Sequence, residues 1–176
     1  MSEQCISMGS PNQAACCYIA LGSNLNQPEQ QIMSAIAAIR QMPATRLEHQ
    51  ASLYQSAPLG FTDQPSFINT VIQVTTRLTP TELLAGLQAI EHQFGRERTF
   101  ANAPRTLDLD LLLYNDLCLV EPELHIPHPR MHLRAFVLVP LLELSPDVRI
   151  PGLGAAQDWL PGVSSQSIKK IGNQSA

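Results

Sequence analysis

Residues 104–114 read Pro-Arg-Thr-Leu-Asp-Leu-Asp-Leu-Leu-Leu-Tyr and predict a β-strand that carries two carboxylates. Aspartate is depleted in strands, yet Asp108 and Asp110 interrupt this apolar stretch with a period of two. Because side chains alternate across a strand, both carboxylates lie on one face, roughly 6.6 Å apart along the strand. The leucines of the opposite face point into a core: Leu107, Leu109 and Leu111.

Two carboxylates this close repel each other unless a cation lies between them. Mg²⁺ is typically held by one or two carboxylates together with substrate phosphates. Arg105, just upstream, has the forked geometry that binds a phosphate through two hydrogen bonds. An edge strand with one solvated face alternates in the same way, however. The local pattern therefore leaves a magnesium site and a solvated strand face as open interpretations.

The length and composition indicate one globular domain. The chain has 176 residues, of which 44% are hydrophobic and 15% charged. A net charge of −4 gives no general electrostatic case for nucleic acid. No apolar run approaches the roughly 20 residues of a membrane-spanning helix, and no basic segment followed by an apolar one suggests a signal peptide. We therefore expect a cytoplasmic monomer that binds neither nucleic acid nor a membrane.

The cysteines and the arginines refine this picture. The four cysteines show no metal-binding spacing and are expected to be reduced thiols: Cys5, Cys16, Cys17 and Cys118. The second half of the chain contains the following five of the eleven basic residues: Arg96, Arg98, Arg105, Arg130 and Arg134. A locally basic site on an acidic protein favours a small anionic ligand.

Hydrophobic periodicity predicts the element order β-α-β-β-α-β. The predicted strands cover residues 16–21, 47–55, 67–76 and the acidic stretch. The first helix runs from Pro28 to about Met42, and the second is capped by Thr79 with Glu82 and ends at Gly95. This order predicts an α+β, ferredoxin-like fold, an antiparallel sheet with both helices packed on one face.

Additions follow this core, including a helix over residues 131–144 with Pro140 inside it. We expect a flexible tail over residues 1–14, a single domain over 15–163 and a second flexible tail over 164–176.

Four segments, in order along the chain, resemble the 6-hydroxymethyl-7,8-dihydropterin pyrophosphokinases. They are Tyr-Ile-Ala-Leu-Gly-Ser-Asn-Leu at 18–25, Pro-Leu-Gly at 58–60 with Asp-Gln-Pro at 63–65 and Asn69, Gly-Arg-x-Arg at 95–98 with the stretch 104–110, and Pro127-His128 with Arg134 and Phe136. The resemblance covers residues 17–153. It implies a ferredoxin-like enzyme of folate biosynthesis that transfers pyrophosphate from ATP to a reduced pterin, releases AMP and uses two Mg²⁺ ions. Ala101-Asn102-Ala103 stands where many members have Arg-Trp-Gly.

The resemblance also implies roles for individual residues. Asp108 and Asp110 bind both metals, and either is a candidate acceptor for the proton of the pterin hydroxyl. The catalytic set is Asp108, Asp110, Arg96 and Arg105. ATP contacts fall on Gln88, Glu91, Arg98, Arg105, Leu111, His128 and Arg134. The pterin lies between the rings of Phe67 and Phe136, with Asn69 at its edge, and the remaining contacts come from Ser56, Pro58 and Leu59.

Two other functions remain open from the sequence. Gly22-Ser23 followed by a carboxylate pair is also found in Mg²⁺-dependent nucleotidyltransferases, where the pair follows closely instead of some 85 residues later. Ferredoxin-like folds also bind RNA by stacking bases on aromatic side chains of the sheet. The acidic pair and the net charge of −4 disfavour RNA.

Overall fold

The computed structural model describes residues 13–95 and 103–171, and the statements below concern those residues. Ten strands are found: β1 (Ala15–Ser23), β2 (Thr45–Gln50), β3 (Tyr54–Ser56), β4 (Phe67–Thr76), β5 (Asp108–Tyr114), β6 (Leu119–Glu121), β7 (Leu124–Ile126), β8 (Arg149–Ile150), β9 (Gly154–Ala155) and β10 (Ile168–Lys170). Three α-helices accompany them: α1 (Pro28–Arg40), α2 (Pro80–Gln93) and α3 (Ala135–Leu144). Two 3₁₀ helices cover Met131–Leu133 and Ala156–Val163.

The main sheet has six antiparallel strands in the order β10-β3-β4-β1-β5, with β2 also paired to β4. The long strand β4 pairs with β2 along its C-terminal half and with β3 along its N-terminal half. The core order is therefore that of the predicted ferredoxin-like fold. Its antiparallel sheet with packed helices confirms the α+β prediction.

A buried core fills each face of the sheet. One core joins β1, β4 and β5 to α1 and α2, and it contains Leu107, Leu109 and Leu111 as expected from the alternation. The other lies between the opposite face and α3, with Ala20, Val71 and Leu112 among its members. Asp108 and Asp110 share the strand face of Leu112, so they point to the side of α3.

A strand and a helix differ from the sequence predictions. The strand predicted over 47–55 is two strands, β2 and β3, which residues 51–53 separate, and β2 itself contains a register shift between Leu47 and His49. The helix predicted from Met131 is broken at Arg134, whose backbone is extended (φ −128°, ψ 115°), and α3 begins at Ala135. Its first amide, that of Ala135, donates to Oε1 of Gln166 (2.8 Å). Because the capping residue Gln166 lies 31 residues further along the chain, local periodicity could not predict this cap.

The C-terminal segment takes part in the sheet. Residues 168–170, predicted within a tail, form β10 and pair with β3. The Ile171 amide also donates to the Leu53 carbonyl (2.8 Å). The sheet therefore extends beyond the predicted boundary at residue 163, whereas residues 1–12 and 172–176 lie outside the described part of the chain.

The expectation for the cysteines is only partly met. Cys16 and Cys17 are free thiols. Cys118 is disulfide-bonded, so the expectation of reduced thiols is wrong at this position, because spacing along the chain does not show which sulfurs meet in space. Within residues 13–95 and 103–171, no helix has the length and apolar character to cross a membrane.

Thr79→Ala is expected to lower the free energy of unfolding by about 1 kcal/mol. The Thr79 hydroxyl accepts the Glu82 amide (3.2 Å), and the Glu82 carboxylate accepts the Thr79 amide (2.8 Å), so the predicted capping box is present at the start of α2. Urea unfolding of the variant measures the loss. Thr62→Ala, in an exposed loop, is the control. Equal stability of the two variants would show that the cap contributes nothing.

Candidate active site

A row of residues crosses the sheet at the end of β1. Asn69 of β4 pairs with Gly22 of β1, and Gly22 pairs with Asp108 of β5. Paired residues point to the same face, so the Asn69 amide and the Asp108 carboxylate flank a position with no side chain. Their Cα atoms are separated by two strand spacings, about 9.6 Å. A Cβ at Gly22 would lie 3.1 Å from Oδ1 of Asn69, so the glycine keeps this gap open.

The next row places the second carboxylate beside the packed part of the sheet. Asp110 pairs with Ala20 on β1, and Ala20 pairs with Val71 on β4. Ala20 and Val71 belong to the core beneath α3. The candidate site therefore lies on this face of the sheet, just beyond the edge of that core and next to the N-terminus of α3.

Arg105 joins the first carboxylate to an aromatic ring. Its Nη1 lies 2.9 Å from Oδ2 of Asp108, and both side chains are largely shielded, with 22% and 18% exposed. The guanidinium also lies 5.3 Å from the ring centroid of Phe67, at cation–π distance. Within the described residues, Nε of Arg105 is buried and has no hydrogen-bond partner. A shielded guanidinium with a spare donor is suited to an anionic ligand.

Arg134 plays the corresponding part beside the second carboxylate. It precedes α3 and lies 5.5 Å from the ring centroid of Phe136. Burial lowers the pKa of Arg134, and the charge of Asp110 opposes this shift. The two predicted pterin rings thus each lie against an arginine. Arg105 is paired with Asp108, and Arg134 interacts with both Asp110 and Asp108. The two aromatic rings, the two arginines and the two carboxylates therefore form one contiguous group of side chains.

His128 is held as a neutral ring near these charges. Burial lowers the pKa of His128 from 6.5 to about 4, and the positive charges of Arg134 and Arg130 act in the same direction, while Asp108 opposes them. The Arg130 amide donates to Nδ1 (3.2 Å), which leaves Nε2 with the proton of the neutral ring. His128 is fixed because its own amide donates to the Leu112 carbonyl of β5 (2.9 Å). At neutral pH the ring offers a hydrogen-bond donor without a charge.

His128 is expected to make the folded protein less stable as the pH falls. The unfolded chain binds a proton at His128 near pH 6.5 and the folded chain only near pH 4. The stabilisation is therefore present above pH 6.5 and is lost progressively between pH 6.5 and 4. In urea unfolding series, His128→Gln should flatten this dependence, whereas His49→Gln, at an exposed histidine, should not. An NMR titration midpoint near 6.5 for the His128 ring would contradict the account.

The Asn69 amide is oriented by a neighbouring hydroxyl. Asn69 is 4% exposed, and its Nδ2 donates to Oγ of Ser56 on β3 (2.7 Å). One N–H is therefore committed to the protein, and the second N–H and Oδ1 remain for the donor–acceptor edge of a heterocycle. Pro58 and Leu59 follow on the adjoining loop, where Pro58 is half-buried and Leu59 exposed.

Asn24 is a central residue of the site for which the sequence alone predicts no separate role. It is 2% exposed, and its Nδ2 donates to Oε1 of Gln64 (2.9 Å) and to the Pro65 carbonyl (3.0 Å). Its Oδ1 accepts the Arg105 amide (2.9 Å), and its own amide donates to the Arg105 carbonyl (3.1 Å). Asn24 thus ties the end of β1 to the loop before β4 and to the segment that positions Arg105. In the sequence, this role was indicated only by a polar residue at the end of a strand that was predicted to be buried.

The donor set fits a hard divalent cation that also binds phosphate. Asp108 and Asp110 are half-buried on one strand face, each near an arginine that can contact the same phosphates. Within the described residues, no group of three or more His, Cys, Asp or Glu side chains could enclose a metal. Mg²⁺ uses one or two carboxylates and leaves its other positions to water and phosphates, so the pair is sufficient.

Not every predicted residue lies among these groups. Gln88 is exposed on α2, whereas Glu91 is buried and faces β5. The Leu111 side chain is 4% exposed within the core on the opposite face, so only its backbone remains available to a nucleotide. Arg96 and Arg98 lie outside the described residues, as does the 101–102 part of the altered loop.

Comparison with known proteins shows the family of this chain. The model of the 7,8-dihydro-6-hydroxymethylpterin-pyrophosphokinase family matches residues 18–146. The chain belongs to this family. A 2-amino-4-hydroxy-6-hydroxymethyldihydropteridine pyrophosphokinase of Pseudomonas aeruginosa is 51% identical over 154 residues, which are 88% of this chain and 95% of that protein. The Haemophilus influenzae pyrophosphokinase is 48% identical over 134 residues, or 76% and 84% of the two chains.

Solved structures support the pyrophosphokinase fold. A crystal structure of Plasmodium falciparum HPPK-DHPS, A437G with SDX-DHP, superposes with a TM-score of 0.68 over 85% of this chain at 13% identity. This chain spans 45% of that protein, slightly under half its length. At this level of identity the likeness concerns the fold alone.

Proposed function

We propose that this chain transfers pyrophosphate from ATP to the hydroxymethyl group of 6-hydroxymethyl-7,8-dihydropterin, releasing AMP, as a step of folate biosynthesis. Membership of the pyrophosphokinase family carries this assignment. The arrangement of Asp108, Asp110 and Arg105 beside Phe67 supports it, because a heterocycle and a polyphosphate require contiguous subsites. ATP is the co-substrate, and the enzyme is an ATP-dependent transferase.

The pterin subsite is assigned to two rings and one polar edge. Phe67 and Phe136 offer apolar faces to a flat heterocycle, while Asn69 presents Oδ1 and one N–H to its edge. Ser56 orients that amide, and the backbone from Ser56 to Leu59 is proposed to supply further contacts. A pterin stacked next to Arg105 is proposed to direct its hydroxymethyl group towards the carboxylates.

The phosphates are assigned to the arginines and histidine around β5. Arg105 and Arg134 balance the phosphate charge, and the neutral His128 donates a hydrogen bond. Arg96, Arg98 and Gln88 are proposed to complete the ATP contacts, and Glu91, whose carboxylate accepts the Leu109 amide, is proposed to act on the ATP site through β5. The pterin oxygen attacks the β-phosphorus, the new O–P bond forms as the bond from the β-phosphorus to the α–β bridging oxygen breaks, and AMP leaves with that oxygen. Asp108 or Asp110 is proposed to accept the hydroxyl proton.

Asp108 and Asp110 are also proposed to hold two Mg²⁺ ions with the phosphates. When bound, the ions would neutralise the charge of the transferring group and lower the pKa of the attacking hydroxyl. We further propose a cytoplasmic monomer whose partners are small molecules, ATP and the reduced pterin.

A coupled assay of AMP release tests the function. With ATP, Mg²⁺ and 6-hydroxymethyl-7,8-dihydropterin, we expect AMP at a rate that falls to background when the pterin is omitted. Release of pyrophosphate instead of AMP would indicate a nucleotidyltransferase. Absence of AMP from the folded protein, together with retention of RNA in a filter-binding assay, would favour an RNA-binding module.

A further inference from the structure

Glu91 is a buried carboxylate that reaches from α2 to the acidic strand. It is 5% exposed, and its Oε1 accepts the backbone amide of Leu109 at 2.7 Å. A hydrogen bond from an amide to an ionised carboxylate is shorter and stronger than one between neutral groups. Burial of a carboxylate is costly, so a contact of this kind is expected to have a defined role.

The amide that Glu91 holds lies between the two site carboxylates. Leu109 pairs with Leu21 of β1, while Asp108 and Asp110 pair with Gly22 and Ala20. β5 forms one edge of the six-stranded sheet, and successive amides of an edge strand alternate between the neighbouring strand and the open side. The Leu109 amide bonds Glu91 and therefore uses the open side, where the sheet offers it no acceptor.

The Leu109 side chain is anchored as well. It is 4% exposed in the core shared with Leu87 and Ile90 of α2. Its side chain and its amide are thus both bound to one helix. The Leu109 amide belongs to the peptide plane that joins Asp108 to Leu109, and the buried Leu109 side chain anchors the Cα that leads on to Asp110, so together they restrain the backbone that carries both carboxylates.

We propose that Glu91 is a positioning residue, which sets the spacing and direction of Asp108 and Asp110 by holding the Leu109 amide. A direct contact with ATP is not needed for this role. Outer partners of metal-binding residues commonly change metal affinity or activity by about 10- to 100-fold when removed. The part that concerns Mg²⁺ rests on the proposed function, whereas the hydrogen bond to Leu109 does not.

Three variants separate this role from others. Glu91→Ala removes the acceptor, Glu91→Gln keeps an acceptor without the charge, and His92→Ala is a control at an exposed position of the same helix. If Glu91→Ala does not fold, Glu91→Met fills a similar volume without an acceptor of comparable strength. Hydrogen exchange of the Leu109 amide is measured by NMR in each, without ligand.

Exchange at Leu109 should be at least about 10-fold faster in Glu91→Ala and near the wild-type rate in Glu91→Gln and His92→Ala. The Mg²⁺ concentration for half-maximal AMP release should rise about 10-fold in Glu91→Ala and less than about threefold in Glu91→Gln. Unchanged protection of Leu109 in Glu91→Ala would overturn the proposal. The proposal would also be overturned if Glu91→Ala bound metal-free ATP more weakly while the Mg²⁺ dependence of AMP release stayed unchanged. A wild-type protein without pterin-dependent AMP release would instead refute the function and leave the exchange result standing.

Discussion

Replacing Asp110 with asparagine is expected to lower kcat by about 10³-fold, which corresponds to about 4 kcal/mol of transition-state stabilisation. Asparagine keeps the shape of the side chain and removes the charge that the proposed metal site requires. Asp108→Ala and Asp110→Ala are expected to lose most activity in the same way. Steady-state AMP release at saturating ATP, pterin and Mg²⁺ measures the effect.

Stability separates this role from a structural one. Asp110→Asn loses attraction to Arg134 and repulsion from Asp108, so its free energy of unfolding should change by less than about 1 kcal/mol. Asp108→Ala also leaves Arg105 without its ion pair and should cost about 1–3 kcal/mol. Asp116→Asn, at an exposed carboxylate just after β5, is the control for both measurements. If both site variants unfolded, the result would indicate that the two carboxylates are needed for folding.

Asn24→Ala is expected to reduce stability by about 2–4 kcal/mol and kcat by about 10²-fold. The change removes three side-chain hydrogen bonds in a buried position: those to Gln64, to Pro65 and from the Arg105 amide. The unsatisfied Arg105 amide explains part of the loss of stability. The loss of activity follows because the segment that aims Arg105 at Asp108 loses its anchor.

A graded series tests that explanation. Asn24→Asp keeps an acceptor for the Arg105 amide and loses the donors to Gln64 and Pro65, so it should fall between wild type and Asn24→Ala. Gln30→Ala, which removes an exposed carboxamide from α1, is the control. Urea unfolding and AMP release are measured on all three variants. Wild-type kcat in Asn24→Ala would show that Asn24 does not position the catalytic segment.

The sequence predicted those features that depend on local chemistry. Alternation placed Asp108 and Asp110 on one face and Leu109 on the other, because the period of a strand is fixed by its pleat. The capping box of α2 could also be predicted from the sequence, since its two residues are only three positions apart. Strand β4 was predicted with the bounds it has, because its β-branched run is bordered by breakers.

The features that depend on distant contacts were not predicted. Asn24 reads as a turn residue until the loops from residues 64–65 and 105 are brought to it. The capping of α3 by Gln166 and the pairing of β10 with β3 join segments far apart in the chain. The role of Gly22 as a gap between Asn69 and Asp108 became visible only from the strand register.

The most direct test of the account is ³¹P NMR of the complete reaction with ATP, Mg²⁺ and 6-hydroxymethyl-7,8-dihydropterin. The account predicts that the β- and γ-phosphorus of ATP move together into one pterin diphosphate, while AMP accumulates in equal amount, and that Asp110→Asn shows neither signal on the same time scale. Transfer of the γ-phosphorus alone with formation of ADP, or free pyrophosphate with AMP attached to the pterin, would contradict it.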